Sequence, residues 1–121
     1  MTVTNTLTID ANALFDLNGK NLTATGATIS NSGTIQLQGG ETLTGFTNDT
    51  VKGIVKYNGT GSYTGLAVGN NYFGLTFNGS GNWTLNAALD TNGAFTIAQG
   101  TVDAAGNNLN VAGNWLNSGT F

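Results

Sequence analysis

The chain contains no cysteine, no proline, no histidine and no arginine, and only 7% of its 121 residues are charged. Without cysteine there are no disulfides and no thiolate metal sites. Without histidine or cysteine, Ser-His-Asp and Cys-His catalysis is excluded. The only basic residues, Lys20, Lys52 and Lys56, leave a formal net charge of -3. That balance provides no electrostatic footprint for nucleic acid or an anionic membrane. No apolar run approaches the roughly 20 residues that span a bilayer, so membrane insertion is not expected. The opening Met1-Thr2-Val3-Thr4-Asn5-Thr6 lacks the basic and apolar regions of a secretory signal. An exported chain of this kind is expected to be a mature form or a piece of something longer. Helix formers are scarce as well, and the Thr, Asn and Gly in their place disfavour helix interiors.

What the chain does contain is 19 glycines, abundant Thr and Asn, and 39% hydrophobic residues. Disordered chains combine low hydrophobicity with high net charge. Neither holds here, and the apolar residues recur regularly, so a folded single domain over 1–121 is expected.

The recurrence has a period of twenty. Phe15-Asp16-Leu17-Asn18-Gly19 is followed by Ile35-Gln36-Leu37-Gln38-Gly39, Val55-Lys56-Tyr57-Asn58-Gly59 and Leu75-Thr76-Phe77-Asn78-Gly79. Phe95-Thr96-Ile97 and Trp115-Leu116-Asn117-Ser118-Gly119 continue the series less perfectly. Two apolar residues flanking one outward residue read as a short half-buried strand, because strand side chains alternate faces. The following Asn-Gly or Gln-Gly reads as a corner that uses positive φ. A small-residue column, Ala13, Gly33, Gly53, Gly93 and Gly113, lies just upstream.

Two weaker columns fill each row: Val3, Leu22, Leu43, Tyr63, Trp83, Val102 and Ile9, Ile29, Val51, Val68, Leu89, Leu109. Three strand-and-corner units per row make a triangular prism. Antiparallel hairpins would not keep each column against its own kind, whereas a spring-like winding does. The expected fold is therefore all-β: a parallel β-helix, or β-solenoid, of about six three-faced coils of ~20 residues. Residues 93–121 also resemble 5–35, as in Asn31-Ser32-Gly33-Thr34-Ile35 and Asn117-Ser118-Gly119-Thr120-Phe121. That offset is four coils plus one face, which makes the three faces quasi-equivalent.

Phe15, Tyr57, Phe77, Trp83, Phe95 and Trp115 are expected in the core, with Tyr72, Phe73 and Trp115 as the candidates for outward aromatics. The two ends draw most attention, because a solenoid leaves unpaired backbone groups on its first and last coils. No amphipathic capping helix, proline or charge cluster marks either end. The expected head-to-tail stacking interface is Thr2, Val3, Thr4, Leu7, Trp115, Leu116 and Phe121, with the faces of successive copies aligned. A heterologous contact of this kind does not close and makes filaments. The alternative is a segment of a longer array with covalent neighbours.

No motif for chemistry emerges, and no cofactor, metal or catalytic residue is expected. The carboxylates Asp10, Asp16, Glu41, Asp49, Asp90 and Asp103 read as solvated surface charges, since Asp16 faces Gln36 and Lys56 instead of another acid. Glycosidase-type catalysis needs paired acids. Gly59-Thr60-Gly61-Ser62-Tyr63-Thr64-Gly65 has no helix after it to receive a phosphate. Asn-x-Ser/Thr at Asn21, Asn48, Asn58, Asn78 and Asn82 is explained by composition. Thr-x-Thr triplets (Thr2-Val3-Thr4, Thr6-Leu7-Thr8, Thr23-Ala24-Thr25, Thr42-Leu43-Thr44, with Ser62-Tyr63-Thr64) recur near coil spacing and would stack into a flat hydroxyl-bearing face. Such arrays resemble those of ice-binding solenoids.

The phrases Leu17-Asn18-Gly19-Lys20-Asn21-Leu22-Thr23, Asn31-Ser32-Gly33-Thr34-Ile35 and Ala112-Gly113-Asn114-Trp115-Leu116-Asn117-Ser118-Gly119-Thr120-Phe121 resemble the Gly/Asn/Thr-rich repeats of large bacterial extracellular surface proteins, of the adhesin and autotransporter-passenger kind. The resemblance covers nearly the whole chain. It implies right-handed winding, an extracellular or cell-surface location, and a role in adhesion or matrix. The expected function is structural and not enzymatic: a solenoid subunit that stacks on itself into a filament or extends an adhesin stalk. The alternative is a binding module for ice or polysaccharide, such as surface glycans, on the flat Thr face.

Overall fold

The computed structural model describes all residues from Met1 to Phe121. The chain contains no helix and winds as a β-solenoid of about six turns, with sixteen short strands numbered β1–β16 along it.

The first face is one parallel six-stranded sheet. It stacks β2 (Leu14–Asp16), β5 (Thr34–Leu37), β7 (Ile54–Tyr57), β10 (Gly74–Phe77), β13 (Phe95–Ile97) and β16 (Trp115–Asn117). Its register is the one the period of twenty predicts. Phe15, Ile35, Val55, Leu75, Phe95 and Trp115 form one column. Asp16, Gln36, Lys56, Thr76, Thr96 and Leu116 form the outward column beside it.

The second face is interrupted between coils two and three. It holds β3 (Leu22–Thr23) with β6 (Leu43–Thr44), and then β8 (Ser62–Thr64), β11 (Asn82–Thr84) and β14 (Thr101–Asp103). Bridges from Thr2 to Thr23 and from Thr101 to Thr120 extend this face to both ends. The third face holds β1 (Thr6–Ile9) with β4 (Thr28–Asn31), and then β9 (Asn71–Tyr72), β12 (Leu89–Thr91) and β15 (Leu109–Val111).

Three details of the predicted columns are corrected. Thr2 pairs with Thr23, so Val3 lies two residues further along, over Ala24 and not over Leu22. A two-residue slip keeps Val3 inward, so alternation alone cannot detect it. On the third face Leu7, not Ile9, pairs with Ile29. Val51 and Val68 lie outside any strand, and Val51 is 78% exposed. The third-face segment of coil three is held by side chains instead of a ladder. Asp49 Oδ1 accepts from the amides of Val51 and Lys52, and Asn48 Nδ2 donates to the Asn71 carbonyl. Asn92 Nδ2 donates to the Thr50 carbonyl. Asn and Asp compete with sheet pairing in this way.

The corner glycines also differ from expectation. Asn18 and Gly19 do adopt positive φ, at 46° and 74°. Gly59 and Gly79 do not, and are glycine for another reason: a Cβ on Gly79 would strike the Gly59 carbonyl oxygen, and one on Gly59 the Gln38 carbonyl oxygen. Gly39 and Gly100 adopt positive φ as expected, so turn conformation sets the column at some corners and coil-to-coil approach at others.

The core runs along the axis. Toward the N-terminus it is aliphatic, with Ile9, Leu17, Leu22, Ile35 and Leu37 buried. From coil three onward it is an aromatic stack. Tyr57 lies 5.5 Å from Phe77, Phe77 lies 5.1 Å from Trp83 and 5.9 Å from Phe95, and Phe95 lies 4.8 Å from Trp115. Tyr72, a candidate outward aromatic in the sequence, is fully buried. Its hydroxyl donates to the Gly69 carbonyl at 2.6 Å, which leaves Tyr57 as the donor in the 3.2 Å Tyr57–Tyr72 contact. The Val68 amide in turn donates to the Tyr57 oxygen. A buried phenol retains its value in a core when its hydroxyl is satisfied.

Candidate functional site: the open end coils

Every ladder of the solenoid stops at an edge, and the residues expected at the stacking interface fall on those two edges. Thr2, Val3, Thr4 and Leu7 lie on the first coil, with Trp115, Leu116 and Phe121 on the last.

At the N-terminal edge, Thr2 and Thr4 are exposed, whereas Val3 and Leu7 are half-buried against the core. Met1 is anchored through its ammonium, which donates to the Asn21 carbonyl at 2.9 Å. Sequence reasoning missed Leu14 on this edge, which is 59% exposed, and the half-open Phe15. Phe15, expected in the core, is half-open because no coil lies beneath it.

At the C-terminal edge the aromatic stack runs out into solvent. Trp115, expected in the core, is 43% exposed because no further coil covers its ring. Phe121 meets it edge-on at 4.9 Å and is itself 51% exposed. Leu116 points outward in the column of Asp16 and Lys56 and is also exposed. Leu109 and Val111, half-buried in β15, complete the apolar surface; the sequence places Leu109 in an inward column but assigns neither residue to the interface. From Gly106 to Phe121 there is no charged side chain. At the other end the first nine residues carry none, and Asp10 and Asp16 follow.

The expected Thr-bearing face is present in part. Thr2, Thr23 and Thr44 stand in register on the second face, as do Thr64 and Thr84, with Asp103 ending the column. Thr6 and Thr8 are on the third face instead, paired with Thr28 and Ser30. The array is therefore split by the break between β6 and β8 and does not include every Thr-x-Thr triplet.

The acidic side chains are dispersed. Asp16 accepts from Gln36 Nε2 at 2.7 Å, Asp90 stands between Asn71 and Asn110, and Asp103 Oδ1 takes the Ala105 amide. Glu41 corrects the reading of these residues as surface charges, because it is only 5% exposed. Its carboxylate accepts from the amides of Gln38 and Gly39 in its own coil and of Gly19 in the coil below, at 2.7, 2.7 and 3.0 Å. It is a clamp between two corners. The Gly-Gly turn at residues 39–40 was its one sequence signal, since a carboxylate just after a tight turn is placed to collect the turn's free amides.

Two shallow grooves remain. One, of about 420 Å³, lies over the small-residue column between Leu14, Ile54 and Phe73, and the other, of about 380 Å³, lies beside Glu41 and Tyr63. Neither gathers acids or metal ligands, and no group of three such residues occurs in the chain. No protein-family model, curated protein or solved structure matches the chain.

Proposed function

We propose that the protein is a non-catalytic structural element of an extracellular rod, in which its end coils are extended by further coils, head to tail. One observation carries this reading: both ends present strand edges and apolar side chains with no capping element. Trp115, Leu116 and Phe121 are each 43% exposed or more at one end, and Leu14 is 59% exposed at the other. Solenoids that stand alone cover such edges with polar capping repeats. A flat, uncharged, unpaired edge is instead a template for strand addition. The partner is another copy of the chain or a neighbouring block of a stalk, and the cell-surface setting follows from the resemblance to adhesin-like repeats.

Sedimentation velocity across a concentration series tests the reading. Mass-dependent growth into long species supports it. A single species of monomer mass at every concentration refutes self-stacking.

A second reading is favoured by the in-register Thr2, Thr23, Thr44 and Thr64, Thr84. It makes the second face a flat binding surface for ice or polysaccharide. Inhibition of ice recrystallisation, or retention on a glycan surface, that is lost on Thr44→Lys would support it. Retention unaffected by that change would count against it.

A further inference from the structure

We infer that residues 45–53 are a strap across the weakest joint of the solenoid, between coils two and three, and that the fold opens there first. The joint lies within the chain, so it is the same in a lone solenoid and in one block of a rod.

The ladders locate it. Coil two holds β4 to β6, coil three holds residues 45–53 with β7 and β8, and coil four holds β9 to β11. Coils one and two, four and five, and five and six are paired on all three faces. Between coils two and three only the first face continues, with Thr34–Leu37 on Ile54–Tyr57. On the second face β6 and β8 belong to different sheets, and on the third no strand lies between β4 and β9. The third face is open between coils three and four as well, but there the other two ladders both hold. The core changes at the same place, from aliphatic side chains to the aromatic stack that begins at Tyr57.

The strap closes what the ladders leave open. No residue from Gly45 to Lys52 makes a backbone–backbone hydrogen bond. Its ties to other coils run through side chains instead. Lys52 Nζ donates to Ser30 Oγ on coil two at 3.3 Å. Asn48 Nδ2 donates to the Asn71 carbonyl on coil four at 2.8 Å, and Asn92 Nδ2 on coil five donates to the Thr50 carbonyl at 2.9 Å. Phe46 packs against the core, whereas Val51 is 78% exposed. Gly45 and Gly53, at the two ends, adopt positive φ of 69° and 77°, a region open to glycine without strain.

Three side-chain hydrogen bonds thus stand where two backbone ladders stand elsewhere. Segments with few buried contacts and exposed hydrogen bonds open before the rest of a fold. A rod that contains this chain yields at this joint first, and the first-face ladder keeps the coils in register for reclosing.

The sequence provides a sharp probe, because trypsin has only Lys20, Lys52 and Lys56 to cut after. Lys52 is on the strap and exposed, whereas Lys56 lies within β7, paired on both sides. Dilute trypsin is expected to cut the native chain first after Lys52. Proteolysis of this kind tracks the open population when reclosing is fast. Loss of one side-chain hydrogen bond shifts such an equilibrium about fivefold. Asn48→Ala and Asn92→Ala should therefore each speed the cut about fivefold, and the double variant about twenty-five-fold. The cut after Lys20 should keep its rate, and Asn82→Ala, at an exposed place on β11, should change none.

Hydrogen exchange reads the joint itself. The Asn58 amide donates to the Leu37 carbonyl across it, and the Ala98 amide donates to Phe77 at the corresponding place two coils on. The double variant should exchange faster at Asn58 and as the parent does at Ala98. Unchanged emission from Trp83 and Trp115, in coils four and six, verifies folding. If alanine at position 48 prevents folding, Asn92→Asp alone, which keeps the shape and loses the donor, carries the same test. A first cut after Lys20 or Lys56 in the parent, or strap variants within twofold of it, would overturn the inference. Equal acceleration at Asn58 and Ala98 would overturn it too, since the opening is then global. So would a faster cut with Asn58 unchanged, which frees the strap without opening the joint.

Discussion

Removing the Glu41 side chain tests how the corners are held. The carboxylate gathers three backbone amides from two coils in a site that is 5% exposed. In Glu41→Ala the amides of Gly19, Gln38 and Gly39 lose their acceptor together. A buried donor left unsatisfied costs about 1–3 kcal/mol. The adjoining groove beside Tyr63 admits water to the vacated space, so each amide is set at the low end of that range. The sum is about 3 kcal/mol, a large share of the roughly 5–15 kcal/mol that holds an ordinary domain. Glu41→Gln keeps one oxygen for the two donors of Oε1 but turns an NH₂ group toward the Gly39 amide, and should cost about half as much. Urea unfolding followed by circular dichroism gives both numbers, and hydrogen exchange should show faster exchange at Gly19, Gln38 and Gly39 before the rest. An alanine variant within about 0.5 kcal/mol of the parent, the range of ordinary surface changes, would refute the clamp.

Three further outcomes follow from the same geometry. Burial pushes the Tyr57 phenol up to about 12 and raises that of Tyr72 well above its ordinary value. The folded state therefore holds these protons more tightly than the unfolded chain. Their contribution is complete below pH 10 and is lost as pH rises from there toward 12, by about 3 kcal/mol for Tyr57 alone. A denaturation midpoint that stays flat from pH 9 to 11.5 would contradict this. Gly79→Ala, which drives a methyl into the Gly59 carbonyl, should cost more than 2 kcal/mol or abolish folding. Ser80→Ala beside it, at an exposed position, should stay within about 0.5 kcal/mol in the same thermal melt. Trp115→Lys should leave monomer stability within about 1 kcal/mol, because the ring is already 43% exposed, while preventing any concentration-dependent growth in sedimentation.

The first face was legible in the sequence almost completely. Its inward and outward residues alternate over six coils, and its corners carry glycine in one column, so a slip of a single residue would have turned Phe77 or Ile97 to solvent. The other faces were legible only where an aromatic or Leu marked the inward place, as at Tyr63, Trp83 and Leu89. They were not legible where polar side chains replace the ladder. Asp49, Asn48 and Asn92 hold residues 45–53 through side-chain hydrogen bonds, and hydrophobic periodicity carries no trace of these. Tyr72 was misread for a related reason: its inward place depends on pairing with Thr91, and the preceding residues Val68 to Asn70 break the spacing. The edge residues Thr2, Val3, Leu7, Trp115 and Phe121 were found from topology alone, since the first and last coils of any solenoid lack one neighbour. Leu109, legible as inward, together with Val111 and Leu14 was not legible as an edge residue, because their apolar character looks like that of every other coil. Glu41 was missed because three amides from two coils converge on it only after folding.

Electron microscopy of the purified chain, negatively stained across a concentration series beside its Val3→Lys variant, tests the central claim most directly. The account predicts thin unbranched rods one solenoid wide for the parent, and isolated particles about 30 Å long for the variant, in which a charge replaces the apolar contact at the entering edge. Isolated particles of the parent at every concentration, or rods that form equally well from the variant, would contradict it.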